Sequence, residues 1–238
     1  MAVNAEERAI AGLADVRRRI VQACERAGRD PSGVRLIAVS KRHPPEAVRA
    51  VYAQGQREFG ENYVQELVAK VRALEDLSEL RMHAIGHVQR NKLKDLLRLG
   101  SGLYSLDTLD SLRLAEALAE RAAAAGRVLP VLLQVNVAGE AQKSGVSVGD
   151  LPALVAAVRG MPSLALGGLM LIPPDVDPEA RRPYFRRLRE LALSLGVAEL
   201  SMGMSDDLEI AVQEGATQVR IGTAIFGERS RGPAPVVA

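Results

Sequence analysis

Lys41 closes the run Val34-Arg35-Leu36-Ile37-Ala38-Val39-Ser40-Lys41, an apolar, β-branched stretch of strand length that ends in an amine. Such a run reads as a buried parallel strand. In parallel α/β folds, ligands bind at the C-terminal edge of the strands. An amine partly desolvated at a pocket mouth there has a lowered pKa and can form a Schiff base with an aldehyde. Taken alone, the segment is also compatible with a solvated lysine that happens to follow a strand. Of the 31 basic residues only Lys41, Lys70, Lys92, Lys94 and Lys143 are lysine, so each one retained is a candidate for a role that needs an amine. Lys70, Lys92 and Lys94 fit solvated helix faces.

A second group of residues has the types that hold a phosphate. Ser201-Met202-Gly203-Met204-Ser205 and Arg220-Ile221-Gly222-Thr223 each follow an apolar run. Gly203 and Gly222 let backbone N–H groups approach phosphate oxygens, and Ser201 and Thr223 add hydroxyls. Read without context, these glycines are turn punctuation. Arg220 cannot deprotonate and so only donates hydrogen bonds. Facing a pyridine nitrogen it would keep that nitrogen unprotonated and weaken the ring as an electron sink; the alternative is a salt bridge at a rim. Asn62, in Gly60-Glu61-Asn62-Tyr63, is a candidate helix N-cap. His83 sits in a strand, where a lone histidine is more often a core or rim residue than a catalyst. Lys143 stands in a long polar loop and reads as solvated, with a second reactive amine as the alternative.

The elements that must position these residues alternate apolar strand with amphipathic helix. A long first helix runs from Ala5 to Ala27, and Gly28 stops it. Strands are expected at 34–40, 57–59, 81–85, 102–105, 130–137, 164–171, 197–201 and 217–221. Helices are expected after Pro44-Pro45 and at 62–75, 89–98, 108–125, 150–159 and 178–195. A further helix starts with Ser205 as N-cap and Asp206-Asp207 in its first turn, and a last short turn covers 224–227. Eight strands each followed by a helix point to an α/β fold, a single (β/α)8 TIM barrel with an extra N-terminal helix covering its bottom or side. No linker divides the chain, so residues 1–230 form one domain and 231–238 a flexible tail. In such a barrel the loops after strands seven and eight are where phosphate is held, beside a short helix N-terminus.

Composition removes other classes. A net charge of +2 with arginine and glutamate interspersed gives no footprint for nucleic acid or an anionic membrane. Cys24 is the only cysteine, which excludes an internal disulfide and a cysteine-based metal site. The three histidines lack a metal-binding arrangement. The N-terminus lacks a basic region and an apolar core, so it is not a signal peptide, and no stretch approaches about 20 apolar residues. A cytoplasmic monomer is expected.

Several blocks in order closely resemble the pyridoxal phosphate homeostasis proteins: Ala38-Val39-Ser40-Lys41, Phe59-Gly60-Glu61-Asn62-Tyr63, His83 with Ile85-Gly86 and Gln89-x-Asn91-Lys92, Gln134-Val135-Asn136 with Lys143-Ser144-Gly145, Gly168-Leu169-Met170, and Ser201-Met202-Gly203-Met204-Ser205-Asp206-Asp207 through Arg220-Ile221-Gly222-Thr223. The resemblance covers about residues 5–230. It implies a barrel similar to the N-terminal domain of alanine racemase, with pyridoxal 5′-phosphate (PLP) as cofactor. By motif match Lys41 takes the Schiff base, Ser201, Gly222 and Thr223 the phosphate, and Arg220 the pyridine nitrogen; Asn62, His83 and Gly203 complete the implied cofactor-binding set. The resemblance implies a carrier that holds PLP and delivers it to apo-enzymes, with an amino-acid racemase as the rival. A two-base racemase needs a second proton carrier. Of the phenols, Tyr52, Tyr63, Tyr104 and Tyr184, none is expected over Lys41, and the chain ends without the second domain that supplies that group in alanine racemase. Two departures flank the site: His87 stands where members usually carry proline or a small residue, and Arg42-His43-Pro44 replaces a commoner Thr-Lys-Pro.

Overall fold

The computed structural model describes residues 5–140 and 142–228. Eight parallel strands close into a barrel: β1 (Arg35–Val39), β2 (Glu58–Glu61), β3 (Arg81–Ala84), β4 (Leu103–Leu109), β5 (Leu129–Asn136), β7 (Leu164–Met170), β8 (Glu199–Ser201) and β9 (Gln218–Ile221). The order runs β1 to β5 and on through β7, β8 and β9, which returns to β1 with Ile37 opposite Arg220; the β4–β5 pairing completes the ring. This is the expected TIM barrel. The expected flexible tail at 231–238 lies outside the described residues.

Each barrel strand feeds a helix that lays an apolar stripe on the sheet: α2 (Pro45–Ala53), α3 (Val64–Ala73), α4 (Leu93–Leu97), α5 (Leu112–Ala124), α6 (Leu151–Arg159), α7 (Arg182–Leu195), α8 (Leu208–Gln213) and α9 (Thr223–Phe226). The extra helix α1 (Ala5–Arg26) buries Ala9, Leu13, Val16, Ile20, Ala23 and Cys24, the period expected of a one-sided helix. It packs against α2, α8 and α9, covering the side of the barrel where the first and last strands meet. Gly12 makes that contact close: a Cβ there would stand 2.5 Å from the Ala224 carbonyl oxygen. The first helix thus bears directly on the short helix that carries Thr223.

Three expectations need correction. The eighth helix begins at Leu208, not at Ser205, because Asp207 turns its carboxylate back to accept the Met204 N–H at 2.6 Å instead of capping forward. The α3 cap position is Tyr63 and makes no side-chain cap bond, so Asn62 is not an N-cap. Strand β4 continues four residues past Ser105, through Asp107 and Thr108, which look like a helix start in sequence. In addition a two-residue strand, β6 (Val146–Ser147), pairs with the end of β5 inside the loop that carries Lys143.

Candidate cofactor-binding site

At the C-terminal edge of the strands Val39, Lys41, Asn62, Arg220, Gly222 and Thr223 meet around a cavity of about 260 Å³. Five of the eight expected site residues line it: Lys41, Asn62, Arg220, Gly222 and Thr223.

Lys41 stands two residues past the end of β1, on a turn held from below. Ser40 is fully buried; its hydroxyl donates to Glu61 Oε1 at 2.7 Å and its carbonyl accepts from Lys70 Nζ at 2.6 Å. Lys70, also buried, forms an ion pair with Glu61. Burial raises the Glu61 carboxyl above its ordinary range while Lys70 pulls it down. The turn itself is fixed by Glu66, whose carboxylate accepts the Arg42 N–H at 2.7 Å with Arg42 in the left-handed region at φ 63°. Lys70 is therefore a buried structural cation and not a solvated helix residue.

Arg220 forms part of the cavity floor and is only 5% exposed. Its Nη1 donates to Ser201 Oγ at 2.8 Å and its Nη2 to the Leu171 carbonyl at 2.9 Å. Burial pulls the guanidinium down to about 10, with Asp107 and Asp207 acting the other way, so it stays cationic at neutral pH. The rim-salt-bridge alternative does not describe it. Ser201 is fully buried and reaches the site through Arg220. Gly203 shapes the wall from behind: at φ 96° it adopts a backbone suited to glycine, and a Cβ would stand 2.5 Å from the Ala211 Cβ. Its carbonyl accepts the Arg220 N–H at 3.0 Å. Gly222 and Thr223 open α9, where a helix leaves its first N–H groups without intrahelical partners.

His83 is not on the cavity wall. It points into the barrel, 1% exposed, with Nδ1 2.8 Å from Ser105 Oγ and 3.3 Å from Asp107 Oδ2, and Nε2 3.5 Å from Glu58 Oε2. Burial opposes its charge, but Asp107 and Glu58 outweigh burial and lift it to about 9.

The wall also contains residues the sequence reading did not pick out: His43, Ile85, Ile172, Met204, Ser205 and Asp206. His43 stacks on Phe226 with ring centroids 5.1 Å apart. Besides the phenols considered as second proton carriers, an imidazole (His43) and a carboxylate (Asp206) thus line the cavity with Lys41. The signal was available, since His43 lies two residues after Lys41 on the same loop. An adjoining cavity of about 310 Å³ shares Asn62, Ile85 and Ile172 and includes Lys143. Lys143 is not simply solvated: Nζ lies 2.9 Å from Glu140 Oε2 and donates to the Pro173 carbonyl at 3.1 Å. Among the described residues no cluster fit for a metal ion occurs, and no helix is long and apolar enough to cross a membrane.

A closed parallel barrel with an amine after the first strand and a glycine–hydroxyl pair after the last defines a class, and residues 12–230 match the family described as alanine racemase, N-terminal domain. An alanine racemase from Corynebacterium glutamicum shares that fold at TM-score 0.65 and 18% identity, over 96% of this chain and 63% of that one. Within the class, curated relatives are far more similar. The pyridoxal phosphate homeostasis protein of Pseudomonas aeruginosa is 50% identical over 92% of this chain and 95% of its own length, and that of Aquifex aeolicus 44% identical over 95% and 99%. PipY of Synechococcus elongatus, solved with PLP bound, matches at TM-score 0.78 and 37% identity over 89% of this chain and 100% of that one. The chain belongs to the pyridoxal phosphate homeostasis protein family.

Proposed function

We propose that this chain binds PLP in the cavity at Lys41, holds it as a Schiff base on that amine, and serves intracellular PLP homeostasis by handing the cofactor to apo-enzymes. The observation that carries the reading is the convergence of Lys41, Arg220 and the Gly222–Thr223 turn on one cavity of about 260 Å³. These residues fit the group. Lys41 supplies the amine for the aldehyde. The backbone N–H groups and hydroxyl at Gly222 and Thr223 suit a phosphate. Arg220, cationic and able only to donate, suits an unprotonated ring nitrogen. Gly203 and Ser201 shape the floor and hold Arg220, and Asn62 closes the wall. When bound, PLP supplies an electrophilic aldehyde and a ring that can accept electrons; an arginine at the ring nitrogen keeps the second property weak. The names of the relatives and the PLP-bound PipY support a carrier over a racemase.

The test is absorption spectroscopy of the purified protein with added PLP, followed by borohydride reduction and peptide mapping. A visible band, absent in Lys41→Ala, with the reduced label on Lys41 is the expected result. A label on Lys143 alone would overturn the assignment. Transfer of PLP from the loaded protein to an apo-enzyme, faster than from Lys41→Ala mixed with PLP, tests the delivery role.

A further inference from the structure

Three residues of α1 meet the cavity wall from behind. Arg19 is partly buried: its Nε donates to Glu209 Oε1 at 2.7 Å, and its Nη2 donates to Glu209 Oε2 at 3.0 Å and to the Ser205 carbonyl at 2.8 Å. Ser205 lines the cavity, and its hydroxyl accepts the Ala224 N–H at 3.4 Å, which ties the loop after β8 to α9. Asp207 secures the other end of that loop, accepting the Met204 N–H at 2.6 Å while paired with Arg181. Gly12 lies against α9 itself, where a Cβ would stand 2.5 Å from the Ala224 carbonyl oxygen and 2.6 Å from that of Ile225. Arg8 reaches Gly227, another wall residue, on which a Cβ would meet Arg8 Cδ at 3.2 Å. Positions 8, 12 and 19 are four and seven apart, which at about 3.6 residues per turn puts all three on one face of α1. That face backs the loop and the short helix that carry Ser205, Thr223 and Gly227. Gly12 and Arg8 pack there, whereas Arg19 fixes a backbone carbonyl of the wall by a charge-assisted hydrogen bond.

We propose that Arg19 is a positioning residue for the cofactor: through the Ser205 carbonyl it fixes the loop after β8 against α9 and so sets how tightly the phosphate end of PLP is held at Gly222 and Thr223. The inference rests on the PLP reading given above. Glu209 aims the guanidinium, because both carboxylate oxygens engage it and the planar fork leaves a second Nη2 hydrogen for the Ser205 carbonyl. Without that fork the Ser205 peptide is free to shift, and cofactor binding has to order it at the expense of affinity. The aldehyde end is untouched, since Lys41 stands on the separate turn held by Ser40 and Glu66. Loss of Arg19 should therefore be felt by a ligand with a phosphate and not by one that lacks it.

Arg19→Gln should raise the PLP dissociation constant, read from the visible band, by about tenfold, the equivalent of one hydrogen bond from a charged group. Pyridoxal has the aldehyde and lacks the phosphate, so its reductive trapping on Lys41 with cyanoborohydride should proceed at the wild-type rate. Glu209→Gln keeps the Arg19 bond to Ser205 and loosens its aim, so a smaller loss for PLP, about threefold, is expected with pyridoxal trapping again unchanged. A PLP affinity within about twofold of wild type in a folded Arg19→Gln protein would overturn the proposal. So would PLP affinity and pyridoxal trapping that fall by the same factor, the mark of a merely structural defect. Should Arg19→Gln fail to fold, Glu209→Gln decides by the same comparison, and a PLP affinity equal to wild type there sinks the idea. Failure of the PLP reading is distinguishable, because the wild-type protein would then form no visible band with PLP.

Discussion

Replacing Lys70 with methionine isolates the buried ion pair beneath Lys41, and the structure gives its expected cost. Lys70 Nζ pairs with Glu61 and donates to the Ser40 carbonyl at 2.6 Å, with Glu66 Oε2 a further 3.6 Å away. Methionine fills much of the same space but leaves Glu61, which is 1% exposed, without a counter-ion. Breaking one partner of a buried pair costs about 3–5 kcal/mol. The carboxyl has one escape, which is to stay protonated. At pH 7 that costs about 1.4 kcal/mol for each unit above an unfolded value near 4.3, or roughly 4 kcal/mol, and so caps the penalty. The sign follows: in the variant the folded Glu61 pKa is raised above the unfolded one, so stability is regained as pH falls and the gain ends near pH 4. Urea denaturation of wild type and Lys70→Met should show a deficit of about 4 kcal/mol at pH 7 shrinking to about 1 at pH 5. Adding Glu61→Gln should recover much of the loss at pH 7. A deficit that is independent of pH, or a double variant no better than the single one, would refute the argument. The same variant should weaken PLP retention, since the peptide ahead of Lys41 loses its buried anchor.

Three further outcomes follow from the geometry. His83, lifted to about 9 from 6.5, contributes stability fully present below pH 6.5 and lost as pH rises through 9; this amounts to about 3 kcal/mol, and His83→Gln should flatten denaturation midpoints across that window. Gly203→Ala should cost roughly 2–4 kcal/mol, because φ 96° disfavours a side chain and the new Cβ would stand 2.5 Å from the Ala211 Cβ; a thermal melt matching wild type would contradict the strain. Loaded protein incubated with L-alanine in deuterated water should show no more than trace exchange and D-isomer, because Arg220 leaves the ring a weak electron sink; turnover on the order of 1 per second would favour the racemase reading.

The barrel was legible because eight apolar runs, each followed by an amphipathic helix, admit few other closures. The candidate cavity was legible for the same reason: once the strands are counted, Lys41, Gly222 and Thr223 fall at the edge where barrels bind ligands, and all three line it. What stayed hidden is polar residues inside the barrel. Asp107 and Thr108 end an apolar run in sequence and so look like a helix start, yet both are buried in β4, Asp107 against His83. Lys70 shares its helical spacing with solvated positions, and only the fold shows that Glu61 and the Ser40 carbonyl await it. Asp207 carries the residue type of a cap but is spent on Arg181 and the Met204 N–H. In each case a long-range partner overrides a local preference, and one sequence read locally carries no sign of that partner.

These buried charges bear on what the cavity can hold. A guanidinium on a barrel floor needs compensation, and Arg220 has it in three forms: the Ser201 hydroxyl, the Leu171 carbonyl and two carboxylates. The two hydrogen bonds fix the plane of the group, and the carboxylates keep it protonated while leaving its donors unconsumed. At neutral pH it sits about three units below its own titration, so the floor offers N–H donors and never an acceptor. A ring nitrogen placed there must therefore be the acceptor and remain unprotonated. That condition favours retention of a cofactor on an amine over use of its ring to stabilise carbanions. In the proposed reading Lys41, held on its turn by Ser40 and Glu66, provides the amine, and the interior that keeps Arg220 charged disfavours ring chemistry.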